Sequence, residues 1–317
     1  MIDHTDLELL DRSLRHAHER HSGAALDEAL AALGWADLLA ADPRAAVSLQ
    51  FEAQGAANTA SSALDLVMAH AAGVGADAVV LPPLGRWCAP ADATAGADGL
   101  VVHGLGTARL PAAERVLVVR ADGDAHVGCV VPGAALAATP LQGVDPDLGL
   151  VAVGGALPAH ADARPADWQA ALDLGRLALA HELVGASRAM LDLARTHALA
   201  RVQFDRPIAA FQAVRHRLAE ALVAIEAAAA TLDAAWLDRS PVTAAIAKAV
   251  AGRSARAVAR HSQQVLAGIG FTTEHPFHRY FRRVLVLDGL LGGARALTAA
   301  LGAEVLAARR LPPPVPL

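Results

Sequence analysis

Residues 201–220 read RVQFDRPIAAFQAVRHRLAE, and the reading of this stretch decides the fold. Alanine would satisfy helix propensity at nearly every position here, and much of the chain uses it. Instead Arg201, Phe204, Pro207 and Gln212 stand at fixed offsets. Downstream, Phe211, Val214, Leu218, Leu222, Ile225, Ala229, Leu232 and Trp236 recur at steps of three and four, one face of a long helix. Asp205 is placed to cap that helix and Pro207 to occupy its first turn. Arg201, ending the helix before it, presents a fork of donors that matches phosphate oxygens bidentately, and a following helix N-terminus adds partial positive charge. With Gln203 and Gln212 the segment has the chemistry to hold a diphosphate. From spacing alone, an Arg201–Asp205 ion pair with Phe204 in the core is the simpler account.

Outward from this stretch the texture of the chain changes twice. Residues 1–75 are Ala-rich and helical, with Asp42-Pro43 reading as an N-cap and first helical residue that open a helix running to about Ala71. Residues 76–160 switch to short β-like runs, AVVLPPLG, GLVVHGLG, RVLVVRA, HVGCVVPG and GLVAVGG, separated by Gly, Pro and Asp. That spacing predicts a small antiparallel sheet or barrel. Residues 161–317 return to helical periodicity, with Ser240-Pro241 starting a further helix whose alanines permit close backbone approach, and a tail, LPPPVPL, that reads as extended. The predicted fold class is mainly α with a central β domain: N-terminal helices, a small sheet or barrel, and a C-terminal four-helix bundle.

Composition removes several classes of function. The 317 residues are 54% hydrophobic and 19% charged, which is a globular rather than a disordered balance. A net charge of −5 and the lack of any basic run with interleaved aromatics argue against nucleic-acid binding. Cys88 and Cys129 have no metal or redox spacing, so a reduced cytoplasmic protein is the expectation. The acidic start, MIDHTDLELL, does not read as a signal peptide. The uncharged run Ala125–Val144 is punctuated by Pro and Gly and does not read as a membrane span. His16, His18 and His21, like His275 and His278, lack the paired spacing and carboxylates of a metal site, so no metal is expected. GLGTAR, residues 104–109, imitates a dinucleotide fingerprint but runs into Leu110-Pro111 instead of a helix.

A second constellation lies at 261–283, HSQQVLAGIGFTTEHPFHRYFRR. A helix is predicted to end in Gly268-Ile269-Gly270, where backbone can approach a ligand without a Cβ between, with Gln264 one turn earlier. Together the two stretches resemble the acyl-CoA dehydrogenase family. The family's R-x-x-F-G followed by P-[IL]-x-x-x-Q stands here as Arg201, Phe204, Asp205, Pro207 and Gln212, with Asp205 departing from the Gly. Its A-K-x-x-A and Q-x-x-G-G-x-G-[FY]-x-x-E-x-P stand as Ala247, Lys248 and Ala251, then Gln264, Ala267, Gly268, Gly270, Phe271, Glu274 and Pro276, with Arg282 beyond. The resemblance spans residues 165–295. It implies an FAD whose pyrophosphate meets Arg201, Val202, Gln203 and Phe204, and whose adenosine-diphosphate end is held by Gln264 to Gly268, Ala267 included, across a subunit interface.

The resemblance also shows what is missing. The family removes an α-proton from an acyl thioester with a Glu at one of two positions, and these fall on Leu291 and Gly175. Glu182 is seven residues further along, about 10 Å at 1.5 Å per residue, and Asp288 precedes Leu291 by three; both are weak alternatives, each with a structural ion pair as the plainer role. The stretch GRWCAPADATAGADG lacks the family's flavin-ring motif, and the N-terminal helical part is short. In these respects the chain resembles the short, non-basic subunits that some actinobacterial acyl-CoA dehydrogenases pair with full-length ones as α2β2 heterotetramers acting on CoA thioesters of steroid origin. That implies a full-length acyl-CoA dehydrogenase-like partner supplying the base, and an acyl-CoA substrate. The rival readings are a homomeric dehydrogenase using Glu182 or Asp288, and a flavin-free scaffold or regulatory subunit.

Overall fold

The structure, a computed structural model, describes residues 4–93, 99–158 and 163–309. Thr94–Asp98 of the stretch compared with the flavin-ring motif, and the LPPPVPL tail, lie outside the described residues. The N-terminal part forms α1 (His4–Arg20), α2 (Ala24–Ala32), α3 (Trp35–Ala41), α4 (Pro43–Ala57) and α5 (Ala63–Ala71). Asp42 caps α4 as its sequence predicts, its Oδ1 accepting from the Ala45 amide at 3.0 Å. The single helix expected from Pro43 to Ala71 is two helices. Asn58 turns into the left-handed region at φ 53°, and Thr59–Ser62 carry the chain to the start of α5. Asn is one of the few residues besides Gly that adopts that backbone readily.

The sheet is built from β1 (Ala78–Val79), β2 (Ala91–Ala93), β3 (Gly99–Gly106), β4 (Val116–Asp122), β5 (Ala125–Val131), β6 (Ala137–Pro140), β7 (Val151–Pro158) and β8 (Ala163–Pro165). Its order is β6-β7-β3-β2-β4-β5-β8, with β1 pairing β4. The ladders are antiparallel except for β4 with β1 and with β2. Each of the five β-like runs of the sequence supplies a strand. β2, β6 and β8 are too short to show alternation. The sheet core is Val80, Val102, Leu110, Val116 and Val118, with Cys129 among them as a small buried hydrophobe whose thiol burial pushes up.

After the sheet come α6 (Trp168–Ala200), a hairpin of β9 (Val202–Gln203) and β10 (Arg206–Pro207), α7 (Gln212–Asp238), α8 (Pro241–Leu266), α9 (Phe277–Gly289) and α10 (Ala294–Ala308). Ser240 and Thr243 close a reciprocal capping box with Pro241 in the first turn, so α8 starts where the sequence indicates. Ala244, Ala247, Ala251, Ala255 and Ala259 are buried along it, and α7 with α8 forms the most extensive helix pair. By length and composition Phe277–Ala308 could cross a membrane, but it is two helices separated at Leu290–Gly293, and the apolar stretch is partly buried as core.

The chain divides into two compact units. One holds residues 1–50, 59–178 and 289–292, the N-terminal helices and the sheet; the other holds 51–58, 179–288 and 293–317, the helical bundle. Within the bundle α4 and α6 cross at Gly55 and Gly185: a Cβ at Gly55 would collide with the Glu182 carbonyl oxygen, and one at Gly185 with that of Glu52. The crossing fixes the side chains on either side of it. Glu52 accepts from His181 Nδ1 at 2.9 Å and from Arg188 at 2.5 Å, and Trp236 Nε1 donates to His181 Nε2 at 2.9 Å. These partners outweigh burial and hold the Glu52 carboxyl below the usual range.

Candidate functional site

α6 hands over to the hairpin at Arg201, whose amide donates to the His197 carbonyl at 2.8 Å while its own carbonyl accepts from Ile208 at 2.8 Å. Gln203 pairs with Arg206 across the hairpin, and Phe204 and Asp205 form the turn with φ of 53° and 62°. Two consecutive positive φ values are those of a type I′ turn, which matches the twist of the flanking strands. Asp205 tolerates this backbone, and so the turn survives where the family has Gly. The two expectations about the helix start are corrected. Asp205 is committed to the turn and does not cap α7, and Pro207 is extended at φ −55°, ψ 141°. A 3₁₀ turn, Ile208–Ala210, intervenes, and α7 begins at Gln212 behind Phe211, which gives no side-chain cap.

The simpler account of this segment also fails. Phe204 is 85% exposed, with its ring edge-on to Phe211 at 6.0 Å, and the Arg206 guanidinium lies 4.3 Å over the Phe211 ring. Arg201 makes no side-chain hydrogen bond or ion pair among the described residues, with Asp205 or any other group. Val202, Gln203 and Gln212 are exposed as well; Gln203 donates only to the neighbouring Val202 carbonyl, and Gln212 lies 3.4 Å from His216.

Gln264, Ala267 and Gly268 share one groove of about 560 Å³ with Arg256, Arg260 and Phe271. α8 ends one residue earlier than the Gly-rich run suggests: Ala267, at φ 53° and ψ −132°, is the C-cap. This is a conformation that favours Gly, held by an Ala, and Gln263 Nε2 donates to its carbonyl at 3.2 Å. Nothing stands within 4 Å of the space above Gly268. No hydrogen bond or ion pair among the described residues joins Gln264–Gly268 to Arg201–Gln212.

Their flanking residues do converge. His197, one turn before Arg201, and His275, seven residues after Gly268, line a second cavity of about 500 Å³ with Thr196, Ala200 and Tyr280. Burial, then the charge of Arg201, lowers the His197 pKa; burial, then His197 and His278, lowers that of His275. His278 Nδ1 lies 2.8 Å from the His275 carbonyl, and Tyr280 donates to the Ala56 carbonyl at 2.8 Å. His275 and His278 were legible only as failed metal ligands and His197 not at all, because closeness between α6 and the turn before α9 has no spacing in the sequence. His18 is a core histidine bonded to Thr59 and Gln50, and no group of three metal-ligating side chains exists among the described residues.

The two base positions meet. A Cβ at Gly175 would lie 2.7 Å from Leu291 Cδ1 and 3.1 Å from Met68 Cγ. Leu291 is 2% exposed and its φ is 54°. Beside it Arg176, buried, donates through Nε to the Leu291 carbonyl at 3.2 Å, sits 3.7 Å from Asp173 and faces the Trp87 ring. Burial raises the Asp173 pKa to about 6 against the pull of Gln169 and Arg176. The sequence signal for Arg176 was its adjacency to Gly175. Glu182 is 1% exposed and pairs with the fully buried Arg283 at 3.7 Å. Asp288 is clamped: Oδ2 accepts from Arg256 at 2.7 Å, Oδ1 accepts from the Ala294 amide at 3.0 Å, and its carbonyl accepts from Lys248 at 2.8 Å.

The sequence and the fold have counterparts. Residues 167–306 match the acyl-CoA dehydrogenase C-terminal domain. Acyl-CoA dehydrogenase IpdE2 of Mycolicibacterium smegmatis is 37% identical over 139 residues, covering 44% of this chain and 45% of that one. The chain thus covers less than half the length of that relative. Among solved structures, the Tcur3481-Tcur3483 steroid acyl-CoA dehydrogenase G363A variant superposes with a TM-score of 0.79 at 22% identity, over 96% of this chain and 99% of its own. The ChsE4-ChsE5 complex of Mycobacterium tuberculosis gives 0.76 at 24%, over 99% of both. Residues 167–306 thus match an acyl-CoA dehydrogenase C-terminal domain, and the chain as a whole has the acyl-CoA dehydrogenase fold.

Proposed function

We propose that this chain is the non-basic subunit of a heteromeric, FAD-dependent acyl-CoA dehydrogenase that introduces an α,β double bond into a bulky, steroid-derived acyl-CoA in the cytoplasm. The observation that carries the proposal is the contact of Gly175 with Leu291 and Met68. Both positions from which the family presents a carboxylate converge on one spot, and apolar side chains fill it. A general base must reach the proton it removes, and neither alternative is placed to do so. Glu182 is buried against Arg283, and both oxygens of Asp288 are engaged. The base then comes from a full-length acyl-CoA dehydrogenase-like partner, in an α2β2 assembly.

The residues fit a flavin nucleotide. Arg201 supplies a fork of donors, unengaged among the described residues, for pyrophosphate, Gln203 and Gln264 supply exposed amides, and Gly268 leaves its backbone open to close approach. The exposed Phe204 offers a face to an aromatic ring or to the partner chain. FAD, when bound, supplies the acceptor for the β-hydride. This chain's part is to bind and orient it, and to keep Glu182 and Asp288 out of the proton transfer.

Flavin stoichiometry tests the reading. With the protein purified from its host together with whatever chain accompanies it, one FAD per two unlike chains is expected. Arg201→Ala should lower the flavin content of that complex at least about tenfold, as befits a lost charge-assisted hydrogen bond. One FAD per chain in a single-component protein overturns it, as does an Arg201→Ala complex that keeps its flavin.

A further inference from the structure

A fully buried carboxyl, Asp65, stands behind a cavity of about 470 Å³ at the N-termini of α2 and α5, and the proposed chemistry uses neither. Two hydroxyls join them. Thr107 Oγ1 is 2.5 Å from Asp65 Oδ2 and 3.3 Å from Ser62 Oγ, and Ser62 lines the cavity. Ser62 is the N-cap of α5, yet its hydroxyl caps no amide. It is 5% exposed and, beyond Thr107, bonds through Oγ to no group among the described residues. A hydroxyl has one proton to give. With Asp65 protonated, Asp65 donates to Thr107 and Thr107 to Ser62, which leaves the Ser62 proton for the cavity. With Asp65 ionised the chain reverses, Ser62 donates to Thr107, and the cavity meets a lone pair instead. Burial raises the Asp65 pKa to about 7, against the Thr107 hydroxyl and the Val79 amide, with Asp27 adding to the rise and Arg109 opposing it. Both arrangements are therefore populated near neutrality.

The cavity wall carries both signs of charge. Arg109, just past β3, brings a guanidinium; Asp27 and Glu28, on α2, bring carboxylates; Ala31, Ala112 and Leu148 are apolar. Arg109 and Glu28 make no hydrogen bond or ion pair among the described residues, and Asp27 is engaged only at Oδ1, which accepts from the Ser62 amide at 2.7 Å. A simple anion would face two carboxylates here, and a simple cation would face Arg109. A zwitterion meets neither conflict. We propose that this cavity binds an α-amino acid with an aliphatic side chain, its carboxylate taken by Arg109 and the Ser62 hydroxyl, its ammonium by Glu28 and Asp27 Oδ2. A guanidinium fork matches a carboxylate, and the alanines and Leu148 suit an aliphatic group. Because Ser62 can donate only when Asp65 holds its proton, the ligand favours the protonated chain, and binding takes up a proton near neutral pH. The site is independent of the flavin and of any partner subunit.

The test is calorimetric titration of the full chain with leucine, at one pH below and one above the Asp65 midpoint of about 7. Wild type should bind leucine about fivefold more tightly on the acid side, the worth of one neutral hydrogen bond. Isocaproate, which lacks the ammonium, and isoamylamine, which lacks the carboxylate, should each bind at least about tenfold more weakly, as should leucine to Arg109→Gln. Two variants, with folding checked by circular dichroism, isolate the hydroxyl chain. Ser62→Ala removes the donor and should hold leucine at the weaker, alkaline affinity at both pH values. Asp65→Asn, whose amide donates to Thr107 in place of the carboxyl proton, should hold it at the tighter, acid affinity at both. A merely structural role for these residues would weaken binding in both variants alike, which would overturn the relay. Failure of wild type to bind leucine, equal binding of isocaproate, or an undiminished Arg109→Gln overturns the site.

Discussion

The hairpin Val202–Pro207 and the pocket around Gly175 are built by opposite rules. The hairpin exposes an aromatic, places two non-glycine residues at positive φ, and follows an Arg201 without a side-chain partner among the described residues. The pocket buries Leu291, fills the space beside Gly175 with Leu and Met, and pairs its polar neighbours Arg176 and Asp173 with each other. Strained backbone and unengaged donors persist at a surface when a ligand or partner uses them. A close-packed apolar spot forms where no proton has to move. On the function proposed above, the chain keeps the gripping half of an enzyme and closes the reacting half, and each half responds to a different kind of perturbation.

The largest expected effect comes from breaking the buried side of that contrast. Arg283→Met breaks the buried pair with Glu182 by removing its cation, which costs about 3–5 kcal/mol. Urea denaturation should show it as a large drop in midpoint. Glu182→Gln, by comparison, should leave turnover by the assembled complex unchanged, because the carboxylate serves the fold. If Glu182→Gln abolished turnover with the midpoint intact, Glu182 would be the base and the contrast would collapse.

Acid is the next perturbation, and it acts on buried groups of the sheet-containing unit. His18 donates through Nε2 to Gln50 Oε1 at 3.1 Å and accepts at Nδ1 from Thr59 at 2.7 Å; burial lowers its pKa to about 4. The folded state binds fewer protons than the unfolded between about 6.5 and 4, so the contribution of His18 is complete above that window and is lost as pH falls through it. From 6.5 to about 4 this amounts to about 3 kcal/mol. Asp65 runs the other way. Burial raises it to about 7, against the Thr107 hydroxyl at 2.5 Å and the Val79 amide at 3.0 Å, so its folded state retains a proton and loses stability as pH rises toward 7. Asp65→Asn should thus unmask the His18 slope: stability measured between pH 7 and 4.5 falls more steeply than in wild type. A slope equal to that of wild type would mean that Asp65 is not coupled to folding.

How much of this was legible follows from where the physics is local. The Asp42 cap, the Ser240-Pro241 start and the strands of the five β-like runs rest on side chains next to the backbone they organise, and the sequence displays them. The break at Asn58 was hidden because alanines surround it and an Asn at positive φ looks like any helical Asn. The start of α7 was misplaced because Asp205 suits both an N-cap and a type I′ turn, and only strand pairing between Gln203 and Arg206 decides between them. The motif gave the two base positions, yet their contact is tertiary: Gly175 and Leu291 are more than a hundred residues apart, and only the folded chain shows that one fills the other's space.

The smallest effect sharpens the comparison most, because one backbone feature occurs on both sides of it. Ala267 and Leu291 both stand at positive φ, 53° and 54°. An L-residue held there costs on the order of 1–3 kcal/mol, and Gly removes that cost at an entropic loss of about 0.4–1 kcal/mol. Ala267 is exposed and has only a methyl to lose, so Ala267→Gly should stabilise the chain by about 1 kcal/mol, read as a rise in melting temperature, without lowering flavin content. At Leu291 the same relief is available, but the exchange removes a fully packed side chain beside Gly175, and large-to-small changes in a core cost about 2–5 kcal/mol. Leu291→Gly should therefore destabilise. Opposite signs at the two positions are what a strained gripping turn and a packed closure require; a loss of stability at both would mean that the turn at Ala267 carries no strain.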